Sequence, residues 1–95
     1  MDVRFEWNAA KDWANQRKHG VSFETASLVF ADPNHLSVQD RVENGEVRWQ
    51  TLGLIKGLIV LLVAHTYQDE EDDEVIRIIS ARKATARERR IYEQG

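Results

Sequence analysis

A chain of 95 residues has room for one domain and one hydrophobic core. Its 42% hydrophobic and 31% charged content suit an ordinary globular protein, and the lack of cysteine excludes disulfides, zinc thiolate sites and thiol catalysis. No basic-then-apolar signal opens the chain, and its longest apolar run, Leu58 to Ala64, is too short for a bilayer; a cytoplasmic location is expected.

The net charge of -3 is unevenly spread. From Arg77 onward six cations face two anions, a balance of +4, whereas residues 1–76 carry seven cations and fourteen anions, a balance of -7. An anionic ligand responds to such local concentration, so the acidic total does not exclude RNA.

Val3 to Trp7 reads as a first strand, with Val3, Phe5 and Trp7 on one face. Asn8 caps a helix to about His19, which Gly20 ends in a left-handed conformation. Trp13 with Ala9, Ala10 and Ala14 is its expected buried side; Lys11, Asp12, Asn15 and Arg17 are expected in solvent. Ser22 caps a second helix carrying Phe23, Ala26, Val29 and Phe30, and Pro33 stops it.

Leu36–Val42 and Glu46–Leu54 flank Asn44-Gly45, a strong hairpin signal, and Lys56-Gly57 marks another turn. Leu58 to Ala64 is the pattern of a central strand covered on both faces. The six acids Asp69 to Glu74 are expected in an exposed loop. Val75 to Ile79 then forms a last strand, and Thr85 with Glu88 has capping-box spacing for a closing helix. The expected architecture is α+β: an antiparallel sheet of four to five strands, two N-terminal helices on one face and a short C-terminal helix. The sheet's other face is then free for function.

Three cations cluster near the end of that last strand. Strict alternation puts Arg77, Ile79 and Lys83 on one face, while Arg82 and Lys83 emerge where the strand gives way to the helix. Cations on a rigid sheet are well placed to grip phosphate, and Arg offers a bidentate fork. Taken without any family, His65 reads first as a strand-end histidine bonded to backbone, and Arg77 equally as a solvated or cross-strand-paired residue.

Longer strings in the sequence resemble the BrnT toxins of bacterial type II toxin–antitoxin modules. They are Phe5-Glu-Trp7 with Lys11 and Asn15, Lys18-His-Gly-Val-Ser-Phe23, Phe30-Ala-Asp-Pro33, Arg48 with Gly53, His65-Thr66, and Ile76-Arg-Ile-Ile-Ser-Ala-Arg-Lys-Ala-Thr85 with Glu88, Arg89 and Tyr92. The resemblance implies a RelE-like toxin fold and a metal-independent RNA endonuclease that halts translation and needs no cofactor. It also implies a BrnA-like ribbon-helix-helix antitoxin whose complex with the toxin represses their operon. The chain departs from the family at Gln68 to Glu74, where a tight turn, often containing Arg and Gly, is usual.

Metal-free RNA cleavage needs a proton acceptor for the 2′-hydroxyl, a donor for the leaving oxygen, and cations for the charge gathering on phosphate. On the resemblance, His65 is the expected acid or base, with Arg77, Arg82 and Lys83 as charge stabilisers. Arg48, Trp49, Lys18, His19 and Arg87 are expected to meet RNA, Trp49 by stacking on a base. Structural roles compete for several of these: Lys18-His19 suits a helix C-terminus, and Arg87 a solvated helix face. His19, His35 and His65 lack metal-ligand spacing, so no metal is assigned.

Overall fold

The computed structural model describes residues 2–95. Strand β1 (Val3–Glu6) leads into helices α1 (Ala9–His19) and α2 (Phe23–Ser27), and a 3-10 turn (Leu28–Ala31) extends α2. A meander follows, β2 (Leu36–Glu43), β3 (Glu46–Ile55), β4 (Ile59–Glu70) and β5 (Asp73–Lys83), and helix α3 (Ala86–Gln94) closes the chain. Among the described residues no helix is long and apolar enough to cross a membrane.

The strand order is β1-β5-β4-β3-β2. The meander is antiparallel as expected, but β1 joins β5 in parallel, so the five-stranded sheet is mixed. Asn44 and Gly45 both take positive φ in the β2–β3 hairpin, the twist that suits a two-residue turn.

The acidic segment is not a loop. Asp69 pairs with Glu74 and Glu70 with Asp73, leaving only Glu71-Asp72 as the turn, with Glu71 at φ 56°. A hairpin tip keeps the carboxylates in solvent while the backbone bonds continue, and Arg4 of β1 pairs with Glu70 at 2.5 Å. The tight turn usual in the resembling family is thus present with acidic residues in it.

Helix α1 presents a different side from the expected one. Trp13 is 61% exposed under the Arg17 guanidinium, whereas Asn15 is 7% exposed and faces the sheet. The reason is hydrogen bonding. β1 ends opposite Arg77, leaving the edge of β5 open beyond it. The Asn15 amide replaces the missing strand there, donating to Ala81 O (2.9 Å) and Val21 O (2.8 Å) and accepting from Ala81 N (3.1 Å). A buried amide so satisfied is worth more than a buried indole would be. Asp12 likewise faces inward and accepts from Phe23 N at 2.9 Å.

The main core lies between the sheet and α1–α2, with Phe23, Val29, Leu61, Val63, Ile76 and Ile78 at its centre. A smaller cluster, Leu52, Val60 and Leu62, fills the opposite face under Tyr92 of α3. α3 is also anchored at Asp32, whose Oδ2 accepts from Tyr92 Oη (2.5 Å) and Leu54 N (2.8 Å). The opposite face is therefore only partly free.

A Cβ built at Gly53 would lie 2.6 Å from Val29 Cβ and 2.9 Å from Val29 O, so the 3-10 turn packs directly on bare strand backbone. Gly53→Ala should lower stability by about 1–3 kcal/mol, read as a lower urea midpoint, because backbone cannot yield as a side chain can. An unchanged midpoint would refute this packing.

Candidate active site: a cationic row on the open sheet face

One irregularity decides where the cations of β5 point. Ala64 pairs with Ser80 but His65 pairs with Ile78, so Ile79 is an extra residue in β5. Alternation is reset there. Arg77 and Arg82 end on the same face, the one carrying α3, while Lys83 sits opposite Leu61 on the α1–α2 side. The expectation of Arg77 and Lys83 on a shared face is thus overturned. Arg77 pairs with Thr66 and Arg82 with Leu62, four residues apart on β4, or about 13 Å along the strand.

The part of this face that α3 leaves open carries a row across three strands. Arg77 on β5 pairs with Thr66 on β4, and Arg48 on β3 precedes Trp49, the partner of His65, so alternation puts all three on this face. Arg48 and Arg77 line a cleft of about 240 Å³ with Ile78, Ile79 and, from the start of α1, Asn8 and Lys11. Two buried polar atoms of the row, Arg48 Nε and Thr66 Oγ1, have no hydrogen-bond partner. Arg77 already holds Glu46 Oε1 at 2.6 Å, and Gln68 Nε2 donates to the other oxygen of that carboxylate at 3.0 Å.

Arg82 stands apart from this row. It makes a two-pronged bond to Glu88, Nη1 to Oε1 at 2.8 Å and Nη2 to Oε2 at 3.0 Å. Glu88 also completes the capping box with Thr85. The guanidinium drives the Glu88 carboxyl down to about 2, although burial opposes it, and the same bond raises Arg82. Arg82 therefore fastens α3 to the strand end.

His65 is fully buried on the other side of the sheet. Its Nε2 lies 2.7 Å from Thr51 Oγ1, its ring packs edge-on against Phe30 and Tyr67, and Nδ1 has no partner. Burial pushes its pKa down to about 4, with a smaller push from the charge of His35. The ring is neutral at pH 7 and turned away from the arginines. As the acid or base of a site containing Arg77, His65 is misplaced, since residue 65 and residue 66 of one strand face opposite ways.

The remaining expected contacts scatter. Trp49 sits opposite His65 and packs on Tyr67 (centroids 5.2 Å apart), in a hollow shared with Asp69 and Glu74, an unfavourable seat for RNA. Lys18 and His19 end α1, and Arg87 lies exposed in the first turn of α3; none of the three lines the arginine cleft. Lys11, Asn8, Thr66 and Glu46 do belong to the neighbourhood of the row. Lys11 and Thr66 were both inside the resembling strings, and strand alternation from His65 would have placed Thr66 on the open face. Among the described residues no three His, Asp or Glu side chains converge as metal ligands.

A mixed five-stranded sheet with three helices and a cationic row on its open face defines a small α+β protein with a cationic surface. The family model described as the ribonuclease toxin, BrnT, of type II toxin–antitoxin systems matches residues 7–88, and the chain belongs to that family. The fold is similar to that of the Brucella abortus ribonuclease toxin BrnT, known from a 1.1 Å crystal structure, with a TM-score of 0.68 and 21% identity over 90% of this chain and 99% of that one. No curated protein sequence matches.

The buried histidine gives a pH dependence with a fixed sign. Its folded pKa lies below the unfolded value of 6.5, so unfolding lets it take a proton. Stability should be full above pH 6.5 and fall by about 2 kcal/mol between pH 7 and 5, before most carboxylates titrate. Urea melts at both pH values should show this drop in the parent and a much smaller one in His65→Gln. Equal drops in the two proteins would remove His65 as its source.

Proposed function

We propose that this chain is a metal-independent RNA endonuclease whose phosphate-binding centre is the Arg48–Thr66–Arg77 row. The observation that carries this reading is a single cleft on this face lined by three cations, Arg48, Arg77 and Lys11. Arginine forks can meet the charge that gathers on a phosphate during transesterification, the work a metal does elsewhere. Glu46, bonded to Arg77, is a proton acceptor on the same face for the 2′-hydroxyl. The 2′-oxygen then attacks phosphorus, the bond to the 5′-oxygen breaks, and Lys11 can protonate that oxygen as it leaves. Arg82 acts as a positioning residue through Glu88 and α3.

In this reading the protein is cytoplasmic and inhibits translation. A BrnA-like ribbon-helix-helix antitoxin neutralises it, and the complex represses the shared operon. These features accord with membership of the BrnT family. A second reading, a non-catalytic toxin of the RelE/ParE-like class acting on a protein target, draws on one observation. The two arginines on this face expected to be catalytic, Arg77 and Arg82, are both held by carboxylates, Glu46 and Glu88.

Purified, antitoxin-free protein incubated with a defined RNA in EDTA separates the two. Cleavage by the parent, reduced about a hundredfold or more in Arg77→Ala and in Arg48→Ala, is the expected result. Folded protein that leaves RNA intact, alone and with ribosomes, would favour the interaction reading. Cleavage undiminished in both variants would move the centre elsewhere.

A further inference from the structure

The side of the molecule away from the arginine row carries a second surface. A groove of about 470 Å³ runs between β1 and the 3-10 turn, lined by Val3, Phe5, Leu28, Phe30, Tyr67 and Ile76 among others. Its floor is ordered: Phe5 rests on Phe30 with ring centroids 5.5 Å apart. Its rim is apolar and in solvent, with Val3 52% and Leu28 46% exposed. Contiguous exposed apolar side chains of this kind mark contact surfaces rather than ordinary exterior.

Two further features restrict what can sit there. β1 is the edge strand of the sheet, hydrogen-bonded on one side to β5. Its other edge can accept an extended chain whose alternate side chains drop into the groove beside Val3 and Phe5. The lip of the groove is Glu74, and the hairpin tip beyond it brings six carboxylates from Asp69 to Glu74, paired among the described residues with Arg4. That field repels nucleic acid and attracts lysine and arginine.

We propose that this groove docks the antitoxin through an extended segment with apolar residues at alternate positions and flanking basic side chains. The inference rests on the antitoxin reading above and adds the surface and the chemistry of the partner segment. The apolar groove supplies the hold, and the acidic tip supplies orientation and a faster encounter. Because the groove and the arginine row lie on different faces, the segment seated here does not itself cover Arg48 or Arg77. Neutralisation then comes from the rest of the bound antitoxin.

The test is calorimetric titration of purified antitoxin into the full chain at low and high salt. Two double variants are used, Val3→Lys with Leu28→Lys, and Glu71→Lys with Asp72→Lys. All four side chains are solvent-exposed, and circular dichroism checks the fold. The apolar-rim variant should bind about tenfold or more weakly at both salt concentrations. The tip variant should bind several-fold more weakly at low salt, the difference shrinking at high salt. Both variants should cleave RNA in EDTA like the parent. Parent protein that fails to bind antitoxin overturns the antitoxin reading and this inference together. Parent binding with both variants within about twofold overturns the groove alone. Parent protein that sediments as a dimer broken by the rim substitutions assigns the groove to a second copy and overturns the proposal.

Discussion

Ile79 is one residue more than the β4–β5 ladder needs, and the distribution of function over the sheet depends on it. Were Ile79 part of a regular alternation, Arg77 would share its face with Lys83 and oppose Arg82. With Ile79 as the extra residue, Arg77 and Arg82 look the same way, one into the open cleft and the other under α3. The same shift brings Ala81 inward, where Asn15 can bond both its amide and its carbonyl. A bulge locally bends and twists its strand, and here that bend lies where β1 has ended and α1 begins to cover the edge. Edge protection, helix orientation and cation placement are thus consequences of one extra residue.

The charge division seen along the chain becomes a division in space. β5 starts in the acidic tip at Asp73 and ends at Lys83, just before the basic helix, a run of ten steps or about 33 Å if fully extended. That is several screening lengths at physiological salt, so each pole is largely screened from the other. The arginine row lies between the two poles, with Arg77 three residues, or about 10 Å, along β5 from Glu74. The net charge of -3 conceals this dipolar arrangement.

Much of the fold was legible because local signals and packing agreed. The caps at Asn8, Ser22 and Thr85, the αL residue at Gly20 and the Asn44-Gly45 turn all act within a few residues, and each does what its chemistry dictates. The failures share a cause as well. The burial of Asn15 in place of Trp13 depends on unpaired groups of a strand 66 positions away, which no helical periodicity reveals. The acidic tip was read as a loop because charge was taken to preclude strand, whereas strand ends in solvent tolerate carboxylates on both faces. The face assignment at Arg77 failed because a bulge leaves no mark in a run such as Ile78-Ile79-Ser80. His65 illustrates the limit for the site: a titratable residue type in a suggestive string gives no information about which side of its strand is dry.

The arginine row is held in reserve rather than left bare. Arg77 is paired to Glu46, itself fixed by Gln68, so its head group has a set position before any ligand arrives. An isolated cation beside Arg48 would cost electrostatic repulsion; the carboxylate offsets that cost and keeps the fork pointed into the cleft. Arg48 Nε and Thr66 Oγ1 of the same row are buried without a partner. In the proposed mechanism the carboxylate that steadies Arg77 is also the base. Pre-positioning of the cation and proximity of a proton acceptor therefore follow from a single ion pair.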